Sequence, residues 1–292
     1  MSEQASTYHP APRKPKFLMP AGACDAHCHV FGPTDRFPYA ADARFRPPEA
    51  DKETLFALHD RLGIRRCVIV QSGCHGYDNS AVADAIQARA GRYLGIGLCP
   101  AEVDDNTLDR LHDQGFRGLR FNYMAHLAGG PTDKVLSRLG KRLVRLGWHL
   151  QIHLESSLLA SMAPSLAAMP VPVVIDHMAR IEVGETGAEQ AFDELLRLHE
   201  QPNIWVKVSA LERASRRDPP WHDALPVARA LVAACPTRVL WGTDWPHPNF
   251  RAAPPDDGEI VDLIPLFAPT PELRQALLVD NPQAFYQFDE LE

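Results

Sequence analysis

Eight short runs rich in Val, Ile, Leu and Trp, separated by stretches of helical character, predict an α/β chain folded as a (β/α)8 TIM barrel. The runs are continuously apolar, not alternating, as in Cys67-Val68-Ile69-Val70 and Val171-Pro172-Val173-Val174-Ile175. That pattern marks parallel strands covered on both faces. Polar residues also gather at the C-terminal ends of the first, fourth, fifth, sixth and eighth runs. Closure into a barrel brings those distant ends together, which a doubly wound open sheet, the alternative, explains less well.

The strands are expected at 24–30, 66–72, 93–98, 117–122, 149–154, 172–176, 204–209 and 238–242, with helices at 51–62, 79–90, 105–114, 133–146, 157–168, 188–200, 222–234 and 271–278. The first helix shows the reasoning. Leu55, Leu58 and Leu62 make an apolar stripe, Asp51 and Glu53 suit its N-terminus, and Gly63 supplies the stop. No composition change or fixed-period repeat divides the chain, so residues 1–20 read as an N-terminal arm and 21–292 as one domain. Long loops at 31–50, 123–132, 210–221 and 245–258 can shape a pocket over the barrel mouth. In the last of them Pro246, Pro248, Pro254 and Pro255 restrict the backbone.

At 292 residues, 45% of them hydrophobic and 23% charged, the chain can bury a large core. Its formal net charge of −7 argues against a nucleic-acid partner. No run reaches the roughly 18–20 apolar residues that span a membrane, and the polar start is no secretion signal. Six cysteines without compact spacing fit buried thiols in a reducing cytoplasm. Cys24 and Cys28 lack the second pair that a zinc knuckle needs, and Cys74 is set apart only by its neighbour His75. Homo-oligomerisation is left open.

The segment Cys24-Asp25-Ala26-His27-Cys28-His29-Val30 is the most informative in the chain. Strand alternation sends residues i and i+2 to one side, so His27 and His29 can converge on one ion. Each alone reads more readily as a buried histidine satisfied by backbone. Three later strand ends supply further candidates: His153, His177 and Asp244. His153 shares the inward facing of His149 and Gln151. His177 reads as a ligand, a supporting group or a substrate contact, and the plain role of Asp244 is to cap a turn. Gathered at one mouth, His27, His29, His153 and Asp244 suit one Zn2+ per chain, with Mn2+ as the alternative and a water in the remaining position. Asp244 and His177 would then manage that water's proton. The fourth strand end, Gly118-Leu119-Arg120-Phe121-Asn122-Tyr123, offers no lysine to carbamylate and no bridging Glu or Cys, which favours a mononuclear site. Arg120, Arg180 and Arg213 at strand ends suggest an anionic substrate bound among arginine forks, with Asn122 sharing the facing of Arg120. Arg216 and Arg217 are weaker candidates.

On these motifs the sequence resembles the amidohydrolase superfamily, and within it the branch containing 2-pyrone-4,6-dicarboxylate and 4-sulfomuconolactone hydrolases. The resemblance runs from Asp25-Ala26-His27-Cys28-His29-Val30-Phe31-Gly32-Pro33 to Asn281-Pro282. It includes Ser72-Gly73-Cys74-His75-Gly76, Ile175-Asp176-His177-Met178 and Trp241-Gly242-Thr243-Asp244-Trp245-Pro246-His247-Pro248-Asn249. It implies a barrel of amidohydrolase type that hydrolyses a small anionic lactone during breakdown of aromatic compounds. It carries His75, His247 and Asn249 as substrate-binding candidates, and Arg120, Arg180 and Arg213 match family arginines.

The departures discriminate within the branch. The pyrone-dicarboxylate enzymes work without a metal. They place tyrosine where His153 stands, a further arginine where this chain has His126, and a tyrosine where it has Phe45. The combination here implies a zinc-dependent lactonase resembling 4-sulfomuconolactone hydrolase, with His126 as a substrate contact. Pyrone-dicarboxylate hydrolysis, a zinc-dependent decarboxylation and non-catalytic anion binding are the alternatives.

Overall fold

A computed structural model of the chain describes residues 6–125, 129–250 and 253–290. Eight strands follow one another around a single sheet: β1 (Cys24–Cys28), β2 (Arg66–Val70), β3 (Tyr93–Gly97), β4 (Phe116–Tyr123), β5 (His149–Leu154), β6 (Val173–Ile175), β7 (Ile204–Ser209) and β8 (Val239–Gly242). Every neighbouring pair from β1 to β8 is parallel. Backbone bonds just past the strands draw the ring together. His27 O accepts from Asp244 N at 2.8 Å, and His29 N donates to Trp245 O at 2.7 Å. Only glycine fits where β8 meets β1, because a Cβ on Gly242 would stand 2.5 Å from His27 N. β2 and β6 are buried at every residue, as expected of strands under helices on one side and a filled barrel on the other.

The outer helices are α1 (Lys52–Leu62), α2 (Ser80–Ala88), α3 (Asp105–Asp113), α4 (Asp133–Leu143), α5 (Leu159–Ala167), α6 (Ala188–His199), α7 (Leu211–Ala214), α8 (Leu225–Ala234), α9 (Asp257–Phe267), α10 (Pro271–Gln275) and α11 (Asn281–Tyr286). Asp51 caps α1 by accepting from Thr54 N, and Gly63 ends it in the left-handed conformation at φ 81°. Three features differ from the sequence reading. The loop 210–221 holds the one-turn helix α7, and the helix expected at 271–278 passes from α10 through a wide turn at Ala276–Asp280 into α11. The third is α9, whose start lies inside the expected loop 245–258. Prolines 254 and 255 pointed to irregular chain, yet Asp256 caps the helix by accepting from Gly258 N, and Pro265 lies near its end. The N-terminal arm ties down α9: Asp256 accepts from Arg13 N, and Asp262 accepts from Lys16 N and Phe17 N. Among the described residues no helix is long and apolar enough to cross a membrane.

The six cysteines are free, five of them buried, and burial pushes the Cys28, Cys74 and Cys99 thiols up to about 11. Burial also depresses two histidines remote from the barrel mouth, His149 to about 3 and His199 to about 4. An unfolded chain, with imidazoles near 6.5, therefore binds more protons than the folded one between about pH 4 and 6.5. Stability from these groups is complete above pH 6.5 and lost as pH falls through that window. The unfolding free energy from urea titrations should drop across it, by on the order of 3 kcal/mol for each histidine. His199→Gln should flatten the slope; a slope identical to that of the parent would remove His199 from the account.

Candidate active site at the barrel mouth

Extended backbone places His27, in β1, and His29, one residue past its end, on one side, and the turn after β8 lifts Asp244 across from them at φ 59°. Three imidazoles then face one carboxylate oxygen. The Nε2 atoms of His27, His29 and His177 lie 3.7, 3.3 and 3.7 Å from Asp244 Oδ1. Every Nδ1 is engaged on the far side of its ring. His29 Nδ1 donates to the Val70 carbonyl at 2.7 Å, His177 Nδ1 meets Ser209 Oγ at 2.9 Å, and His27 Nδ1 lies 3.2 Å from Asp176 Oδ1. A carbonyl only accepts, so the proton of a neutral His29 sits on Nδ1 and its Nε2 offers a lone pair inward.

The electrostatics keep the donors in the forms a cation would bind. Burial, helped by Lys207, lowers His27 to about 4, and burial holds His177 well below the usual imidazole range against the pull of Asp244. Burial alone would raise Asp244, yet His177 and Arg213 hold it well below the usual carboxylate range. At neutral pH these two imidazoles are neutral and the carboxylate is charged. His27 Nε2 and Asp244 Oδ1 are buried without a hydrogen-bond partner, although buried polar atoms are nearly always paired. The donor atoms of His27, His177 and Asp244 all lie within 4.8 Å of one another. Such a set of imidazoles and one carboxylate fits a divalent cation of zinc type.

Beneath the imidazoles lies a buried polar layer whose lysine the sequence reading missed. Asp176 Oδ2 accepts from Arg120 Nε at 2.8 Å and Gln151 Nε2 at 3.1 Å. Lys207, fully buried, donates to Gln151 Oε1 at 2.7 Å and stands 3.3 Å from His27 Nδ1. Burial lowers its ammonium to about 8 against the stabilising charge of Asp176. The signal was present in β7: Lys207 and Ser209 alternate onto one side, and both reach site histidines.

After β6 the chain turns left-handed, with φ of 49° to 56° at His177, Met178, Ala179 and Arg180. Non-glycine residues resist this conformation, and the turn delivers both the His177 ring and the Arg180 side chain to the mouth. Arg180 is partly buried and, among the described residues, its guanidinium has no hydrogen-bond partner. Burial and the nearby Arg213 lower its guanidinium. Arg213 is committed: Nε donates to Asp244 Oδ2 at 3.0 Å and Nη2 to Pro248 O at 2.7 Å.

The other candidates fall at varied distances from this centre. His153 stands beside the cluster, its ring centroid 5.6 Å from that of His177, with Nδ1 on Asn122 Oδ1 at 3.0 Å. Burial and Arg120 hold it well below the usual imidazole range. Arg120 is 7% exposed, and its Nε is spent on Asp176. His75 pins two loops, meeting the Pro38 carbonyl at 3.2 Å and Gly32 N at 3.4 Å. His247 is wholly buried with Nε2 3.2 Å from Asp257 Oδ1, and Asn249 is exposed. His126 lies outside the described residues.

The relatives of this chain share the whole barrel. An amidohydrolase family model matches residues 24–288. A 2-pyrone-4,6-dicarboxylate hydrolase from Comamonas testosteroni is 43% identical over 96% of this chain and 95% of its own length. A 4-sulfomuconolactone hydrolase from Hydrogenophaga intermedia is 36% identical over 98% of each. A crystal structure from Pseudomonas putida, provisionally described as a 2-pyrone-4,6-dicarboxylic acid hydrolase, superposes with a TM-score of 0.76 at 28% identity, covering 94% of this chain and all of that one. With the model spanning β1 to the last helix, and relatives matching nearly end to end, the chain belongs to the amidohydrolase family.

Proposed function

We propose that this amidohydrolase is a metal-dependent hydrolase of a small anionic lactone, with 4-sulfomuconolactone as its substrate. One observation carries the reading: three imidazole Nε2 atoms face the unpaired Asp244 Oδ1, within the electrostatic reach of an Arg180 whose guanidinium has no hydrogen-bond partner among the described residues. His27, His29 and Asp244 would hold Zn2+ or Mn2+, with His177 or His153 completing the set. When bound, the cation supplies Lewis acidity and makes a nearby water more acidic.

The remaining steps belong to the chain's own groups. Arg180 binds the sulfonate or carboxylate of the ring and sets the carbonyl toward the imidazoles. As water adds to that carbonyl carbon, Asp244 Oδ1 takes its proton while Arg213 keeps Oδ2 fixed. Collapse of the tetrahedral adduct breaks the ring C–O bond, and Asp244 returns the proton to the departing oxygen.

The relative with 43% identity supports a second reading, hydrolysis of 2-pyrone-4,6-dicarboxylate. Elemental analysis of freshly purified protein, with both lactones assayed before and after chelation, separates them. About one zinc per chain and chelator-sensitive cleavage of 4-sulfomuconolactone are expected. Metal-free protein that turns over the dicarboxylate would replace the first reading with the second. Arg180→Met should lower kcat/KM about 10- to 100-fold, mainly through KM, as loss of a charge-assisted contact predicts. An unchanged kcat/KM would take Arg180 out of the anion site.

A further inference from the structure

Behind Asp244 runs a buried line of side chains whose charges can alternate. Asp257, the first residue of α9, presents Oδ1 3.2 Å from His247 Nε2. The other ring nitrogen, Nδ1, lies 3.9 Å from Glu212 Oε1 in α7. Glu212 Oε1 lies 3.5 Å from Arg213 Nε, which donates to Asp244 Oδ2 at 3.0 Å. Asp257 and His247 are 0% exposed and Glu212 5%. His247 Nδ1 and Glu212 Oε1 both lack hydrogen-bond partners where they stand, and a shift of ~1 Å would join them.

This line joins the loop after β8 to α7 and α9, three segments that approach only in the folded barrel. It ends on one atom, Arg213 Nε, which donates to Asp244 Oδ2 and stands within ion-pair distance of Glu212 Oε1. Arg213 has a competing attraction, because any anion held by Arg180 would draw a neighbouring guanidinium toward it. Should Arg213 swing, Asp244 Oδ2 would be left unpaired, and the carboxylate would be free to rotate Oδ1 away from the imidazoles.

We propose that Glu212, beside the buried His247–Asp257 pair, is a positioning residue that keeps Arg213 Nε on Asp244, so that a single oxygen of Asp244 faces the imidazoles. Its effect on turnover rests on the lactone-hydrolase reading; its effect on Arg213 does not.

The test therefore has two arms. In the first, hydrogen exchange of the Arg213 Nε–H is followed by NMR in substrate-free protein, the resonance being assigned by its loss in Arg213→Lys. Glu212→Gln should speed that exchange about tenfold or more, in line with the effect of losing an outer partner of a site residue. In the second, Glu212→Gln should lower kcat about tenfold without raising KM. In an Arg213→Lys background it should add less than about twofold, since a residue acting only through Arg213 has nothing left to hold. Asp257→Asn, at the far end of the line, serves as the milder break if Glu212→Gln melts early, and the same directions are expected of it. Unchanged Nε–H exchange, or losses that multiply independently in the double variant, would overturn the proposal. Wild-type protein that cleaves no lactone would sink the functional reading alone, because the exchange arm still decides whether Glu212 holds Arg213.

Discussion

Asp244→Asn should lower kcat about 10²- to 10⁴-fold, the range of a positioned general base, while leaving the barrel folded. An asparagine cannot serve both neighbours of that carboxylate. With its oxygen turned to Arg213 Nε, its amide nitrogen faces the three imidazoles and cannot take a proton from water. With its oxygen turned inward, two donors oppose one another at Arg213. The variant also removes the carboxylate that the three Nε2 atoms share, so bound metal should fall along with turnover. Measuring kcat beside metal content separates the roles. Intact metal with depressed kcat assigns Asp244 to proton handling, and loss of both assigns it to holding the cation as well. Near-normal turnover would remove Asp244 from the chemistry altogether.

How early this site could be read depended on how local each signal was. His27 and His29 needed only the two-residue period of a strand, and Asp244 lay in a motif just past a buried apolar run. The strands themselves were legible because a barrel buries them on both faces, leaving runs such as Cys67-Val68-Ile69-Val70 with no polar interruption. His177 was harder to orient. It swings toward Asp244 through a left-handed turn built without glycine, so Asp176-His177-Met178-Ala179-Arg180 carries none of the residues that normally announce one. Lys207 was passed over for a different reason. A lysine in a strand is ordinarily a solvent-facing residue, and its partners Asp176 and Gln151 come from two other strands. The line Glu212–His247–Asp257 joins two loop segments to a helix hidden by prolines, and no local pattern in the sequence signals such a meeting.

Asp176→Ala carries the largest expected cost in stability, about 3–5 kcal/mol, because it leaves buried cations without their anion. Asp176 is 0% exposed and lies between Arg120 and Lys207, at 2.8 and 3.7 Å. Burial alone would raise its carboxyl, but His27, Arg120 and Lys207 hold it well below the usual range. A carboxylate depressed on folding stabilises the native state above the unfolded value near 3.9, and that contribution is lost as pH falls from there through the folded value. The variant's deficit, measured by urea unfolding, should therefore be full at neutral pH and shrink in acid. Lys207→Met placed on the same background should restore part of the loss, since an unpaired ammonium costs more than a well-packed apolar chain in its place. Recovery would show that charge compensation, not side-chain volume, holds this layer together. A double variant no more stable than Asp176→Ala alone would point instead to the bond with Gln151 and the contact with His27, which both variants lack. Either result bears on function, for His27 is held 3.2 Å from Asp176, and an imidazole freed on its Nδ1 side no longer has a fixed Nε2 to aim at Asp244.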